Sequence, residues 1–260
     1  MWSRKELKDR AKAVLRINYW KAFLISLVIV IAGGYSRSGG SSVIRGGRGG
    51  YNSGSNDWIV PNTVSDRFLL LSILVIAIIV IAVFIFAISF RIFLGYSLEV
   101  GGRRYFIKSA QHDDNRSCFS FAFLGENYKG IVLTMLLKGV QNFLWYLLLI
   151  IPGIVKSYSY RMVPYILADN PNIGYKRAIA LSENMTDGHK FDIFVLDLSF
   201  IGWYLLGLLA LVVGTLFLMP YENATNAELY LSLRESAISI GFTSQEELLL
   251  SRGTDSLYGK

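Results

Sequence analysis

One stretch of the chain, residues 68–90, holds 23 residues without a charge, a proline or a glycine. Its only hydroxyl-bearing side chains are Ser72 and Ser89. Because a helix rises about 1.5 Å per residue, this stretch is long enough as a helix to cross the roughly 30 Å hydrocarbon core of a bilayer. We therefore predict a membrane-spanning helix at this position.

Four further stretches are apolar enough to suggest the same. The one at residues 154–168 is interrupted by Lys156, Arg161 and Pro164, which indicates a short segment packed inside a bundle. The last, residues 192–219, is long for one span, so one span and two short helices folded back on each other both fit. The pattern predicts an all-α, polytopic transmembrane helical bundle with five or six membrane segments, with spans near residues 20–35, 68–90, 130–151, 154–168 and 192–219.

The connections are marked by polar residues, proline and glycine. Pro152 and Gly153 predict a tight reversal, and the sequence after Ala168 predicts the end of the fourth span. Residues 99–129 are expected to form a loop, and residues 172–190 and 224–240 to form further helices. We expect residues 1–240 to make one membrane-embedded domain and residues 241–260 a solvated polar tail.

The first 18 residues predict a basic amphipathic helix. Ser3 and Glu6 have the spacing of a capping box. Leu7, Ala11, Val14 and Leu15 share one helical face, and the candidate contacts to anionic lipid lie elsewhere on the helix: Lys5, Lys8, Lys12 and Arg16. A signal peptide is the alternative, but the head of 21 residues is long for one, so we favour an uncleaved first span.

Residues 36–67 predict a flexible outer loop, because residues 36–56 consist mainly of Gly, Ser, Arg and Asn. Arg45 and Arg48, each followed by two glycines, resemble RNA-binding segments of the Arg-Gly-Gly type. Two copies between membrane spans are weak evidence, so we expect no nucleic-acid partner.

Composition supports a membrane protein. Hydrophobic residues make up 53% of the chain and charged residues 17%, whereas a soluble domain carries about 25% charged residues. The single cysteine, Cys118, cannot form an internal disulfide, and His112 and His189 have no metal-ligand spacing. We therefore expect no metal, no cofactor and no catalytic residues.

The distribution of Lys and Arg predicts the orientation. Seven of the 26 lie in the first 21 residues and five in residues 99–129, against four in residues 36–67. Because short loops rich in Lys and Arg stay on the cytoplasmic side, we place the N-terminus and residues 99–129 inside.

Three ionisable residues fall at membrane depth in the predicted spans: Lys138, Arg161 and Asp197. Helical rise places them at roughly 7 to 12 Å beneath the inner surface, which predicts one intramembrane polar cluster. Three roles fit such a cluster: a charge pair that fixes helix register, a contact to lipid head groups, and a path for a substrate or proton.

Several strings in the chain resemble a bacterial membrane family labelled domain of unknown function 975. They include the entry Asn18-Tyr19-Trp20 and, further along, Ile151-Pro152-Gly153-Ile154, residues 164–171, residues 198–203 and Pro220-Tyr221 with Ala227 and Tyr230. The chain is also similar, more distantly, to the membrane domain attached to some glycerophosphodiester phosphodiesterases. The resemblance implies a polytopic helical protein of the bacterial cell membrane with a cytoplasmic C-terminus, and it implies no activity.

The resulting expectation for function is a non-enzymatic membrane protein that binds anionic lipid head groups, a membrane-protein partner or a second copy of itself, aiding export or envelope function. A small-molecule or peptide transporter subunit is the alternative. A membrane lipid enzyme fits least, because the sequence contains no nucleophile elbow, phosphate loop or metal-ligand spacing.

Overall fold

The computed structural model describes residues 3–31, 64–209 and 213–250. Within these ranges the regular elements are helices and no strand is found. A π-helical turn, Arg91–Gly95, separates the second and third α-helices. The α-helices are α1 Arg4–Ile31, α2 Val64–Phe90, α3 Tyr96–Ala110, α4 Cys118–Phe123, α5 Gly125–Leu148, α6 Ile150–Ser159, α7 Val163–Asp169, α8 Tyr175–Thr186, α9 Lys190–Leu209 and α10 Val213–Ser239.

The chain divides into two compact units, one of residues Met1–Ser36 with Arg91–Lys260 and the other of residues Arg37–Phe90. In the second unit, the described element is α2, and its large apolar side chains from Phe68 to Ile88 are exposed wherever they are described. The predicted helix at residues 68–90 is confirmed. The Gly-rich stretch at residues 36–56 lies outside the described residues.

Two helical stretches are long and apolar enough to cross a membrane, judged by length and composition: Leu70–Ala110, with a mean hydropathy of 3.4 over 18 residues, and Gly125–Leu148, with 1.5. The two arms of α1, Arg4–Arg16 and Tyr19–Val30, would add a third if they were counted as one bent span. The finding covers the described residues, and it supports fewer spans than the five or six expected from the sequence.

Helix α1 bends by 109° between its two arms. The Ser3 hydroxyl caps it by accepting a hydrogen bond from the Glu6 backbone N–H at 3.2 Å, as the capping box predicts. The apolar face of the first arm is buried in the protein core, where Leu7 is 1% and Ala11 0% exposed. This face therefore packs against the other helices of its unit, and the outward side of the arm is the cationic one.

Most of the predicted loop at residues 99–129 is helical. Helix α3 is buried on most of its circumference, including Val100, Tyr105, Phe106 and Ile107, so burial outweighs the low helix propensity of its two adjacent glycines. A Cβ at Gly102 would lie 2.5 Å from the Ile29 side chain of α1. The glycine therefore permits the close approach of α1 to α3, a packing reason that the sequence pattern did not reveal.

The reversal after α5 occurs at Leu149, which has extended backbone, and the sequence-based position at Pro152 and Gly153 is wrong. Pro152 lies instead in the first turn of α6, where its missing N–H would have no helical partner in any case. A Cβ at Gly153 would meet the ring of Tyr146 at 2.5 Å and its Cα at 2.9 Å. Gly153 therefore lets α6 fold back closely against α5.

The expected fourth span, residues 154–168, is divided between α6 and α7. Helix α7 ends at Asp169, as predicted, and all of its residues from Val163 to Ala168 are buried in the protein. Helix α8 lies within the predicted helix at residues 172–190 and packs its Ala178, Ile179 and Leu181 face into the same core.

The expected last span, residues 192–219, is likewise divided between α9 and α10, which pack against each other. Pro220 does not end a helix, because α10 continues through it. Proline removes one helical N–H donor. Near this site the Tyr19 hydroxyl donates to the backbone carbonyl of Phe217 at 3.1 Å, which ties α10 to α1.

The first part of the predicted polar tail is docked on the protein. The Glu247 carboxylate accepts two hydrogen bonds from Arg177 of α8, at 2.6 and 2.9 Å, and Leu248 is fully buried. Glu247 and Leu248 therefore contact the protein, whereas Ser244, Gln245 and Glu246 are exposed. Residues 251–260 lie outside the described residues.

Candidate functional site

Two of the three residues predicted to cluster at membrane depth form an ion pair. Arg161, in the turn between α6 and α7, donates to the two carboxylate oxygens of Asp197 at 2.6 and 2.8 Å. The Tyr158 hydroxyl donates to the same carboxylate at 3.2 Å, and Arg161 also donates to Asn226 Oδ1 at 2.9 Å. This bidentate geometry is the strong form of a guanidinium–carboxylate contact.

Lys138 is not joined to this pair. It is half-buried on α5, and no hydrogen bond or ion pair is found for it within the part of the chain that the structure describes. The sequence predicted similar depths in the membrane for the three residues. Depth alone carries no information about the direction in which each side chain points from its helix.

A second polar group lies where α1, α3 and α10 meet. Arg103 of α3 donates to Asn223 Oδ1 at 2.6 Å and to the Tyr165 hydroxyl at 3.1 Å. The Asn223 amide in turn donates to the Ser26 hydroxyl of α1 at 2.9 Å. Asn223 is 1% exposed, so these contacts replace the water that its amide loses on burial.

A third polar group joins α7 to α10. One carboxylate oxygen of Asp169 accepts from the Tyr230 hydroxyl at 2.7 Å and from Arg234 at 2.8 Å. The side chains of Asp169 and Arg234 are 7% and 6% exposed. The sequence predicted the end of a span after Ala168, but it did not predict this pair.

All three groups depend on α10. Four of its residues are spaced four apart: Glu222, Asn226, Tyr230 and Arg234. Each forms a hydrogen bond with a residue outside α10. Residues four apart lie on one side of a helix. This spacing was a sequence signal for the first and third groups, whereas Asn223 of the second group lies outside it.

The four candidate lipid-contacting cations do not behave alike. Lys5, Lys12 and Arg16 are exposed on the first arm of α1. Lys8 turns inward, donates to the Ser199 hydroxyl at 2.8 Å and lies 4.5 Å from the centre of the Phe200 ring. Lys8 therefore attaches the arm to α9 and leaves three cations facing outward.

The cysteine thiol and the potential metal-ligating side chains do not form a reactive site among the described residues. Cys118 is a free, buried thiol, and burial raises its pKa to about 11, which keeps it protonated at neutral pH. Among the described residues, no group of three His, Cys, Asp or Glu residues could hold a metal ion.

The fold and the polar groups together define an all-helical protein with two candidate membrane spans and a buried helix that carries the polar contacts. Residues 147–237 match the family model described as protein of unknown function (DUF975), which supports that family label. The match includes Arg161, Asp169, Asp197 and Arg234, and it excludes α1 and Lys138. No curated protein and no solved structure matches the chain.

Proposed function

We propose that the chain is a non-enzymatic, multi-pass protein of the bacterial cell membrane that binds anionic lipid head groups through the first arm of α1. Both termini lie on the cytoplasmic side, and the protein aids export or envelope function. The 109° bend in α1 carries this proposal. A helix that lies along a membrane surface and then enters the bilayer needs such a bend, with an interfacial aromatic at the junction.

The residues around the bend support this arrangement. Lys5, Lys12 and Arg16 are exposed on the arm before the bend, and Trp20, directly after it, is 68% exposed. The second arm is apolar from Ala22 to Ile31 apart from Ser26, whose hydroxyl is engaged by Asn223. The charged arm fits the head-group region and the apolar arm fits the hydrocarbon.

The exposed apolar surface of α2 supports contact with lipid or with a membrane-protein partner. Val75, Val80 and Phe86, spread along the helix, are 51%, 60% and 71% exposed. Water would be a poor solvent for such a surface, because apolar area costs about 25 cal/mol per Å² to hydrate. In the cell, lipid, a second copy of this chain or another membrane helix covers it.

The ion pair of Arg161 and Asp197 supports a structural rather than a transport role for the polar core. Arg161 and Asp197 each form hydrogen bonds with more than one partner. Such contacts are typical of a pair that fixes helix register, whereas a substrate site needs hydrogen-bonding groups that are available to the substrate. In a transporter subunit, these residues would instead have to exchange their present partners for the substrate along its path.

Lipids retained through purification test the proposal. The chain is extracted in a mild detergent, and native mass spectrometry measures bound phosphatidylglycerol and cardiolipin for the wild type and for Lys5→Gln/Lys12→Gln/Arg16→Gln. A cation near an anionic surface contributes about 1 kcal/mol, or roughly a fivefold change in binding, so a large loss is expected.

A matched variant removes the same charge elsewhere: Arg116→Gln/Lys129→Gln/Lys176→Gln, at three exposed cations outside α1. The proposal requires this variant to retain most of its anionic lipid. Equal losses in both variants would mean that net charge, rather than the arm, determines lipid binding, and the proposed role of α1 would be wrong. A stoichiometric protein in the same spectra would identify a partner.

A further inference from the structure

A cavity of about 320 Å³ opens where the first arm of α1, the C-terminal end of α3 and the C-terminal half of α10 meet. The volume is within the range of small-molecule sites. The cavity has polar and apolar walls, and its charged or titratable lining residues are Arg10, His112, Glu228, Arg234 and Glu235. None of these residues belongs to the exposed cationic set proposed to contact lipid.

Glu228 is the unusual member of the lining. It is 5% exposed, yet no hydrogen bond or ion pair engages its carboxylate within residues 3–31, 64–209 and 213–250. Its carboxylate keeps only the access to water that the cavity gives it, and a carboxylate held away from bulk water without a partner is costly. Burial is also the largest cause that raises the pKa of Glu228, opposed by the nearby Arg10 and His112 and assisted by Glu235.

The acids on the cavity wall are the groups without an ion pair of their own. Arg10 pairs with Glu6 and Arg234 with Asp169, although the buried Nε of Arg234 makes no hydrogen bond in the described part of the chain. Glu228 and the exposed Glu235 have no such pair among the described residues. The cavity therefore presents two carboxylates outside any ion pair, with Arg10 and His112 near enough to Glu228 to oppose the rise of its pKa.

The hydrogen-bond donors and acceptors that line the cavity restrict the kind of ligand that can bind there. A metal ion is a poor fit, because the described residues contain no group of three His, Cys, Asp or Glu residues able to hold one. A primary ammonium offers three N–H donors. The Glu228 carboxylate, the hydroxyl of Ser232 one turn further along α10 and the side-chain carbonyl of Gln111 all line the cavity and accept hydrogen bonds.

We propose that this cavity binds a primary ammonium group, carried by a small soluble amine or by the head group of an aminophospholipid, with Glu228 as the principal acceptor. The bound ammonium supplies the charge and the hydrogen bonds that the carboxylate lacks. The site is independent of the lipid contacts proposed for the outward side of α1.

Two measurements distinguish the two sources of the ammonium group. Isothermal titration of the full-length protein in detergent measures putrescine binding, with tetramethylammonium and Mg²⁺ at matched ionic strength as probes that lack N–H donors. Native mass spectrometry measures the ratio of phosphatidylethanolamine to phosphatidylcholine retained from nanodiscs that contain both. Both measurements compare the wild type with Glu228→Gln and with Glu246→Gln, an exposed acid outside the cavity.

The proposal predicts that Glu228→Gln weakens putrescine binding or phosphatidylethanolamine retention about tenfold or more, because hydrogen bonds to charged groups are the strong ones. Glu246→Gln should match the wild type. The first readout would identify a soluble amine and the second a lipid head group. No difference between the variants in either readout, or equal binding of tetramethylammonium or Mg²⁺, would overturn the proposal. Glu228→Gln removes a buried charge and keeps the side-chain shape, so it should fold.

Discussion

The ion pair of Arg161 and Asp197 allows the structural role of the polar core to be tested by substitution. Asp197→Asn removes the carboxylate that pairs with Arg161, whose side chain is 20% exposed. The guanidinium charge is then left without a counter-charge. Breaking a buried pair in this way costs about 3 to 5 kcal/mol. Because the two side chains keep 20% and 23% exposure, we expect the lower end, about 3 kcal/mol.

Thermal unfolding in detergent, followed by circular dichroism, measures this loss. For a protein of this size, about 3 kcal/mol corresponds to a decrease in Tm of roughly 6 to 12 °C. Arg161→Met/Asp197→Leu should recover most of it, because replacing both partners by apolar side chains removes the uncompensated charge. Asp9→Asn is the control, since its pair with Lys12 is more than half exposed and should contribute under about 1 kcal/mol.

The reasoning would be refuted if Asp197→Asn unfolded at the wild-type temperature. It would also be refuted if the double replacement were as unstable as the single one, because the cost would then come from lost packing rather than from an isolated charge. Unchanged stability together with lost flux of a solute in proteoliposomes would favour the transporter alternative.

Three further predictions concern other parts of the fold. Gly153→Ala should lower the Tm, because the new Cβ would meet α5 backbone at 2.9 Å, whereas Gly202→Ala, with no atom within 4 Å, should not. Burial raises the pKa of Glu228 in the folded protein, so the folded protein loses stability as the pH rises from the unfolded-state pKa through the folded-state pKa. Glu228→Gln should therefore raise the Tm at pH 7 and have little effect near pH 4. Arg177 lowers the pKa of Glu247, so Glu247→Gln should speed hydrogen exchange in residues 242–250, as should acidification below the unfolded-state pKa, and unchanged exchange would contradict the docked arrangement.

Sequence periodicity predicted the elements whose character is purely apolar. Helix α2 follows from a long apolar run without charge, proline or glycine, and α7 ends at Asp169, just before the Asn-Pro pair. These signals are local, so they do not depend on which other helices lie nearby. The four apolar residues of the first arm of α1, expected to share one face, are all buried in the protein core.

The failures have one physical origin, which is tertiary packing. Residues 99–129 were expected to form a loop and Pro152 with Gly153 a turn, but Gly102 and Gly153 each lie in a helix where another side chain approaches too closely for a Cβ. The last span was expected to end at residue 219, yet α10 continues through Pro220 and is packed against α1, α3 and α9. Helix propensity describes each residue without its tertiary neighbours, whereas burial against other helices determines the conformation at these positions.

The polar core was predicted in part. Arg161 and Asp197 were chosen for the cost of placing charge at membrane depth, and the structure pairs them. The contacts of Asn223, Asn226 and Tyr230 were not predicted, because the expected cluster was limited to ionisable residues in the predicted spans. Asn226 and Tyr230 share a four-residue spacing with Glu222 and Arg234, whereas Asn223 lies outside it.

Spin-label accessibility along α1 tests the central claim most directly. Single labels are placed by Asp9→Cys on the outward side of the first arm, Leu24→Cys on the second and Val80→Cys on α2, at positions that are exposed. The buried native Cys118 is a poor competitor, since burial raises its pKa to about 11. In nanodiscs containing phosphatidylglycerol, the claim predicts head-group depth for the first label, greater depth for the second and hydrocarbon depth for the third. A first label as accessible to an aqueous nickel reagent as one at the exposed Glu246 would contradict it.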